Sequence, residues 1–221
     1  LILFSDVYIT NLGNLLGLGE IQLGLFGIPF TIFCIVGMMN AFNYIDGLNG
    51  LCASFSLVCL TSVIVVVNAF NSPSLLPLIL PAGAIVGFLI YNLGILGEQR
   101  NVFLGDNGSQ ALGFLCLWIL VYFSQFDGYG FAPVTALWIV AILFTDAVRV
   151  LSTRIMAGLR GSNIFKAKRD HIHHKLQDYG FSNGQVFSIL ILSAGSLSAV
   201  GIFLNKVFPE SHFYSFYAFI I

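Results

Sequence analysis

Residues 51–70 read LCASFSLVCLTSVIVVVNAF, a stretch without a charged side chain. It lies inside a longer uncharged run, 47–97, which is long enough for two membrane crossings because one helix needs about 20 apolar residues to span the hydrocarbon core. The polar residues Asn71-Ser72-Pro73-Ser74 predict the turn between the two crossings. Together with the uncharged runs 21–45, 107–126, 128–145 and 179–205, this pattern predicts six spans and the start of a seventh. They lie near residues 24–45, 50–69, 76–95, 109–125, 133–151 and 185–205, and from about 212 onward.

The composition agrees with this pattern. Of the 221 residues, 57% are hydrophobic and only 9% are charged, whereas soluble domains carry roughly 25% charged residues. The high hydrophobicity also excludes a disordered chain, and the net charge of −1 gives no reason to expect a nucleic acid as partner. We therefore predict an all-α polytopic membrane protein, a multi-span helical bundle.

The basic residues predict the orientation of this bundle. If the spans alternate, one side of the membrane holds the segments Asp46–Asn49, 96–108 and 152–184. All lysines and arginines except Lys206 lie on or next to that side: Arg100, Arg149, Arg154, Arg160, Lys166, Lys168, Arg169 and Lys175. Basic residues accumulate on the cytoplasmic side of membrane proteins, so we expect these loops to face the cytoplasm. The glycine-rich segment 1–23 would then form a short external hairpin.

Three polar clusters fall on the predicted cytoplasmic side, which suggests one composite site. They are Asn40–Gly50, Phe103–Ser109 and Arg169–Lys175. In the first cluster Asn43, Asp46 and Asn49 recur every three residues, a spacing that places them on one face of a helical end. The alternative interpretation is that Asp46 caps the following helix.

The second and third clusters indicate a metal and a polyanion. Asp106 lies in a glycine-rich loop, and Mg²⁺ prefers one or two carboxylates together with substrate phosphates; a helix cap is the alternative. His171, His173 and His174 stand among arginines and lysines, which suits a pyrophosphate. Contact with anionic lipid heads or a zinc site are alternatives for this third cluster. The reaction class that joins these features is phosphoryl transfer.

The clusters also resemble motifs of the polyprenyl-phosphate N-acetylhexosamine-1-phosphate transferases, in the same order and spacing. Asn40–Leu51 is similar to the family's NAxNxxDGxDGL segment, Phe103–Gly113 to its FxGDxGSxxLG segment and His171–His174 to its HxHH loop. The runs Asn92–Gly97 and Pro133–Ile139 are similar to bacterial members that use undecaprenyl phosphate. The resemblance covers nearly the whole chain and implies a single transferase domain over residues 1–221.

The resemblance implies a reaction and a set of roles. N-acetylglucosamine 1-phosphate would pass from UDP-N-acetylglucosamine to undecaprenyl phosphate and release UMP, with Mg²⁺ or, in its place, Mn²⁺.

Asp106 with Asn43 would hold the metal, and Phe103 would stack on the uracil. Asn43, Asp46 and Asn49 would line the nucleotide pocket, while Arg169 and the three histidines would close over the pyrophosphate and sugar. The expected catalytic residues are Asp46, Asp106, His171, His173 and His174. Membrane lipid and a homodimer complete the expected partners, in the bacterial inner membrane.

The chain departs from the family pattern at three places. Asn49 stands where an aspartate is usual, Lys168-Arg169 replaces Asp-Arg, and the family's aspartate pair would lie upstream of Leu1. Because the chain starts with Leu1 and stops inside an apolar run, we expect a fragment that lacks N-terminal spans and the C-terminal end, inactive without them.

These departures leave other functions open. The alternatives are another UDP-sugar (phospho-MurNAc-pentapeptide or N-acetylgalactosamine), or a catalytically inactive binder of nucleotide sugar or lipid. A transporter is a further alternative, for which Asp146 is the one charge to consider inside a span. An ion pair with Arg149, one helical turn away, explains Asp146 equally well.

Overall fold

The chain folds into a helical bundle. The computed structural model describes residues 7–67, 75–97, 99, 101–125, 130–159, 170–209 and 212–221. In these parts of the chain there are nine α-helices, which we number in chain order, and a 3₁₀ turn, Gly24–Phe26, that leads into the first. The helices are α1 (Gly27–Ile45), α2 (Leu51–Val66), α3 (Leu76–Asn92), α4 (Gly105–Gln125), α5 (Pro133–Ile139), α6 (Ala141–Leu159), α7 (Ile172–Asp178), α8 (Asn183–Val207) and α9 (His212–Ile220). The turn predicted at Asn71–Ser74 lies outside the described residues.

The prediction of an all-α multi-pass membrane protein is confirmed. Three helices are long and apolar enough to cross a membrane, Gly24–Ile45, α4 and α8, and the pair α5–α6 makes a fourth if it is one broken span. Helices α2 and α3 have 16 and 17 residues, about 24 and 26 Å at the usual helical rise. They are therefore shorter than the full crossings predicted for them. The seventh apolar run forms α9.

Helix α2, the quoted stretch, lies at the centre of the bundle. Most of its side chains are buried, including Leu51, Phe55, Leu60 and Val63. It packs against α3, α4 and α8. A helix that is hydrophobic all round belongs in the interior of a bundle, and small residues on α2 let its neighbours come close.

The prediction of one continuous span over 133–151 is wrong. The chain bends by 83° between α5 and α6, and α6 continues to Leu159, past the predicted end. The two halves are held by different partners. On α5, the indole Nε1–H of Trp138 donates to the carbonyl and the hydroxyl of Ser215 (3.2 Å each), while α6 is held through Asp146, described below. Hydropathy cannot detect such a bend because both halves are apolar.

The hairpin-like segment predicted near the N-terminus is present. Asn11 and Gln22 form an antiparallel bridge, and the Leu12 amide donates to the Ile21 carbonyl (3.0 Å). Gln125, at the end of α4, accepts from the amide of Asn11 (3.0 Å) and donates back to the Asn11 carbonyl (3.0 Å). This side chain therefore pins the hairpin to the end of α4.

Helices α1 and α4 meet backbone to backbone. A Cβ added at Gly113 on α4 would lie 2.9 Å from both the Met38 carbonyl oxygen and the Met39 Cα on α1. Such close approach is typical of membrane helices that pack through small residues. The contact matters because α1 and α4 carry the first and second polar clusters.

We predict that Gly113→Ala forces α1 and α4 apart. Overpacking of this kind costs about 1–3 kcal/mol, so we expect a lower unfolding temperature of the purified protein and weaker Asn43–Asp106 contact. Gly195→Ala on α8 is the matched control, because nothing lies within 4 Å of its added Cβ. Equal unfolding temperatures for the two variants would contradict the prediction.

Candidate active site

The first polar cluster straddles the end of α1. Asn43 lies in the last helical turn, Asp46 caps the helix, and the chain then turns until Gly50, which has a φ of 76°. The prediction that Asn43, Asp46 and Asn49 share one helical face is therefore wrong for Asn49, because the helix ends at Ile45. Asn49 is exposed, and within the described residues it has no hydrogen bond to the other site residues.

The second cluster contacts the first directly. Helix α4 begins at Gly105, so Asp106 lies in its first turn rather than in a loop before it. The Asn43 side chain donates from Nδ2 to Asp106 Oδ1 (3.2 Å) and to the Ser109 hydroxyl (3.1 Å). The Ser109 hydroxyl in turn donates to the Asp106 carbonyl (3.0 Å). One amide of α1 thus holds the start of α4.

The carboxylates of Asp46 and Asp106 are close enough for their charges to repel each other. Burial, and to a lesser degree the charge of Asp106, raise the pKa of Asp46 to about 6. A shift in this direction means that the ionised form is poorly solvated and repelled by its neighbour. A bound cation would relieve both effects.

The donor set fits a magnesium ion better than zinc. The available ligand atoms are oxygens, from the Asp46 and Asp106 carboxylates, the Asn43 amide and the Ser109 hydroxyl. Mg²⁺ takes such oxygens and completes its shell with water and phosphate. Across the described residues, no group of three or more His, Cys, Asp or Glu side chains could hold a metal ion, whereas structural zinc needs four N or S ligands.

The histidine loop packs against the same end of α1. His171 is the residue before α7, and His173, on the first turn of α7, is only 1% exposed. Its ring lies against Gly47: a Cβ at position 47 would be 2.5 Å from His173 Nε2. His174 is half-buried, and its Nδ1 lies 3.1 Å from Gln177 Oε1. Arg169 and Lys168 lie outside the described residues.

Asp146 anchors this loop. It is 6% exposed and accepts from Arg149 Nη2 (2.6 Å), from the Ile172 amide (3.1 Å) and from His171 Nδ1 (2.9 Å). Because a carboxylate only accepts, the His171 Nδ1 carries the proton. The ion pair with Arg149 considered from sequence is thus present, and sequence reasoning missed the bond to His171. Arg149 also donates to the Asp170 carbonyl.

Asn92, a residue that sequence reasoning did not single out, holds the segment before α4. Its buried side chain donates to the Val102 carbonyl (2.6 Å). The next residue, Phe103, is 74% exposed and leaves its ring free for a ligand. Besides its place in the run Asn92–Gly97, the sequence signal was that an amide follows the apolar part of α3, where it has to find a hydrogen-bond partner.

We predict that Gly47→Ala displaces His173. The new methyl group would overlap the imidazole, which packs against backbone and has little room to move. Ligand-free structures or histidine NMR spectra of the variant should show a changed His173 environment. Gly184→Ala, where nothing lies within 4 Å of the added Cβ, should leave the His173 signal in place. An unchanged His173 signal in Gly47→Ala would contradict this prediction.

The chain is similar to known proteins over most of its length. Residues 1–124 match the family model described as glycosyl transferase family 4. Relatives named undecaprenyl-phosphate alpha-N-acetylglucosaminyl 1-phosphate transferase include one from Escherichia coli (strain K12), 35% identical over 91% of this chain and 54% of the relative. Another, from Haemophilus influenzae, is 33% identical over 98% of this chain and 61% of the relative. The chain spans about half the length of the first of these relatives. The family match covers more than half of the chain, which therefore belongs to glycosyl transferase family 4.

Proposed function

We propose that this protein transfers N-acetylglucosamine 1-phosphate from UDP-N-acetylglucosamine to undecaprenyl phosphate. The observation that carries the proposal is the convergence of the three polar clusters on one helix end. Asn43 binds Asp106 and Ser109, Gly47 contacts His173, and Asp46 lies between them. The names of the relatives supply the lipid acceptor and the transferred group, and the resemblance of the motifs supplies the UDP-linked donor.

The transfer is a displacement at phosphorus. A phosphate oxygen of undecaprenyl phosphate attacks the sugar-linked phosphorus, and the bond from that phosphorus to the bridging oxygen breaks. The bridging oxygen leaves with UMP, and the product is a lipid-linked sugar pyrophosphate. Asp106, with Asn43 beside it, would hold Mg²⁺, whose chemistry here would be neutralisation of the phosphate charge. Catalysis of this kind consists mainly of positioning and charge neutralisation.

The remaining site residues take roles on either side of the phosphates. Phe103 stacks on the uracil, and Asn43, Asp46 and Asn49 line the nucleotide pocket. The histidine loop binds the pyrophosphate and sugar, with Arg169 beside it. These roles follow from the resemblance described above and are supported by the exposure of Phe103 and by the docking of His173 on Gly47.

An apolar cavity supports a lipid as acceptor. It has a volume of about 320 Å³ and lies between α1, α4, α5, α6 and the hairpin residues Ile9, Leu12 and Leu15. Its lining runs from Phe30 and Gly37 to Phe144 and Ala147, next to the buried Asp146 that holds the histidine loop. A prenyl chain in this cavity would bring its phosphate toward the histidine loop.

The distribution of basic residues supports a cytoplasmic active site in the bacterial inner membrane. Arg149, Arg154 and Lys175 lie on α6 and α7, at the end of the bundle that holds the site. Lys206 lies at the far end of α8. Basic side chains are retained on the cytoplasmic side, where UDP-sugars are present.

The proposal predicts a magnesium-dependent release of UMP that Asp106→Asn abolishes. The protein expressed from its complete gene is supplied in membranes with undecaprenyl phosphate, UDP-N-acetylglucosamine and Mg²⁺. We expect Asp106→Asn to lower the rate by at least about 100-fold, the effect of losing one strong electrostatic contact in the transition state. Mn²⁺ in place of Mg²⁺ should support turnover, and EDTA should stop it.

The same assay separates the alternatives. Turnover with UDP-N-acetylgalactosamine or UDP-MurNAc-pentapeptide but not with UDP-N-acetylglucosamine would keep the chemistry and change the donor. Tight binding of a UDP-sugar without turnover would identify an inactive binder. Undiminished UMP release by Asp106→Asn would overturn the metal assignment.

The lipid proposal predicts a selective defect in Gly37→Phe. Gly37 lines the cavity, and nothing lies within 4 Å of its added Cβ, so the new ring would occupy the cavity without distorting α1. We expect the KM for undecaprenyl phosphate to rise about tenfold, equivalent to losing the burial of about two methylene groups. The KM for the UDP-sugar should stay within about twofold.

Gly83→Phe is the control for this experiment. Gly83 lies on α3, is exposed and also has open space around its added Cβ. Equal effects of the two variants on the KM for undecaprenyl phosphate would rule out this cavity as the lipid site.

A further inference from the structure

An aromatic stack joins α1 to the histidine loop. The rings of Tyr44 and His171 lie 4.7 Å apart between centroids and are inclined by 25°. His173 follows 6.3 Å from His171 at an angle of 11°, and His174 lies 4.0 Å from His173. Tyr44 stands on the last turn of α1, between Asn43 and Asp46.

The stack restrains a motion that Asp146 leaves free. Asp146 holds His171 by a single ring nitrogen, Nδ1 (2.9 Å), and one hydrogen bond permits the ring to tilt about the bonded atom. A flat ring against its face removes that tilt. Together the carboxylate and the tyrosine therefore define both the position and the plane of the imidazole, and with them the direction of Nε2.

Tyr44 contributes its ring and not its hydroxyl to this arrangement. The side chain is 43% exposed, and its hydroxyl has no hydrogen-bond partner anywhere in the described parts of the chain. Stacked aromatic pairs contribute about 0.5–1.5 kcal/mol beyond their buried area, which suffices to favour one orientation of a ring that is already tethered.

We propose that Tyr44 is a positioning residue that sets the orientation of His171 toward the phosphates. The proposal rests on the proposed function, since it assigns Tyr44 an effect on that reaction. It also has structural content of its own: the end of α1 fixes the histidine loop through Tyr44, just as it fixes the start of α4 through Asn43. Neither composition nor motif spacing assigned any role to this tyrosine.

The test compares Tyr44→Phe, which keeps the stacked ring, with Tyr44→Leu, which removes it. Histidine-labelled protein gives an NMR signal for the His171 ring, assigned by its loss in His171→Gln. We expect the upfield ring-current shift of this signal in wild type and in Tyr44→Phe, and its loss in Tyr44→Leu. This measurement needs no turnover.

A second experiment measures the kcat and KM of the same variants separately. We expect Tyr44→Leu to lower kcat about tenfold with the KM for the UDP-sugar within about twofold, since a misdirected His171 weakens the transition state more than the bound donor. Tyr44→Phe should restore kcat to near the wild-type value. Tyr217→Leu, at an exposed tyrosine of α9, is the control and should match wild type.

A double variant tests whether Tyr44 acts on the reaction through His171. Because Tyr44 and Asp146 both act on His171, adding Tyr44→Leu to Asp146→Asn should lower kcat by less than the product of the two single effects. Strictly multiplicative losses would show that Tyr44 acts elsewhere.

Three outcomes would overturn the proposal. They are an unchanged His171 signal and kcat in Tyr44→Leu, a defect in Tyr44→Phe as large as that in Tyr44→Leu, and the multiplicative losses named above. If the wild-type protein is inert toward every UDP-sugar, the proposed function fails, and the shift difference between the Phe and Leu variants alone then decides whether Tyr44 orients His171.

Discussion

The backbone contact between α1 and α4 at Gly113 is the constraint on which the site depends. From Met38 to Asn43 is about one and a half helical turns, and from Gly113 back to Asp106 about two. Because both helices are stiff over such distances, their spacing at Gly113 determines whether the Asn43 amide reaches the Asp106 carboxylate. The hydrogen bonds between the two clusters do not create this geometry. They require helix packing that already brings the ends together.

The parts of the fold that could be predicted are those that depend on residues close together in the sequence. Within the described residues every predicted span is helical, with the one over 133–151 broken into α5 and α6. An uncharged run in lipid has only helical hydrogen bonding to satisfy its backbone. The hairpin was likewise local, since glycines and alternating side chains in one short segment favour it. The three polar clusters could be expected to share a site because they fell on one predicted side of the membrane. The roles of their residues came from resemblance to a family. Geometry alone would not have shown whether a histidine binds the UDP-sugar or only supports the fold.

The parts that could not be predicted depend on contacts between distant residues. Asp146 and His171 are 25 positions apart, and no spacing rule links a carboxylate inside one helix to a loop beyond the next basic segment. The hydrogen bond from Asn92 to the Val102 carbonyl likewise depends on how two segments pack together. In the sequence Gly47 indicates only a turn, and its contact with His173 becomes visible only in the structure. Helix ends were a smaller error: α1 ends at Ile45, before Asn49, whereas α4 starts at Gly105 and takes Asp106 into its first turn.

The 83° break between α5 and α6 links the site to the bilayer or detergent that surrounds the protein. Helix α5 is fixed to α8 and α9, whereas α6 turns away and exposes the apolar side chains of Val148, Leu151, Ile155, Met156 and Leu159. The same helix carries Asp146, whose carboxylate holds His171. Lateral pressure on α6 therefore reaches the histidine loop through two side chains, Asp146 and Arg149. Bilayer thickness, acyl-chain order and the choice of detergent thus become variables of the active-site geometry, in the way that solvent is for a soluble enzyme.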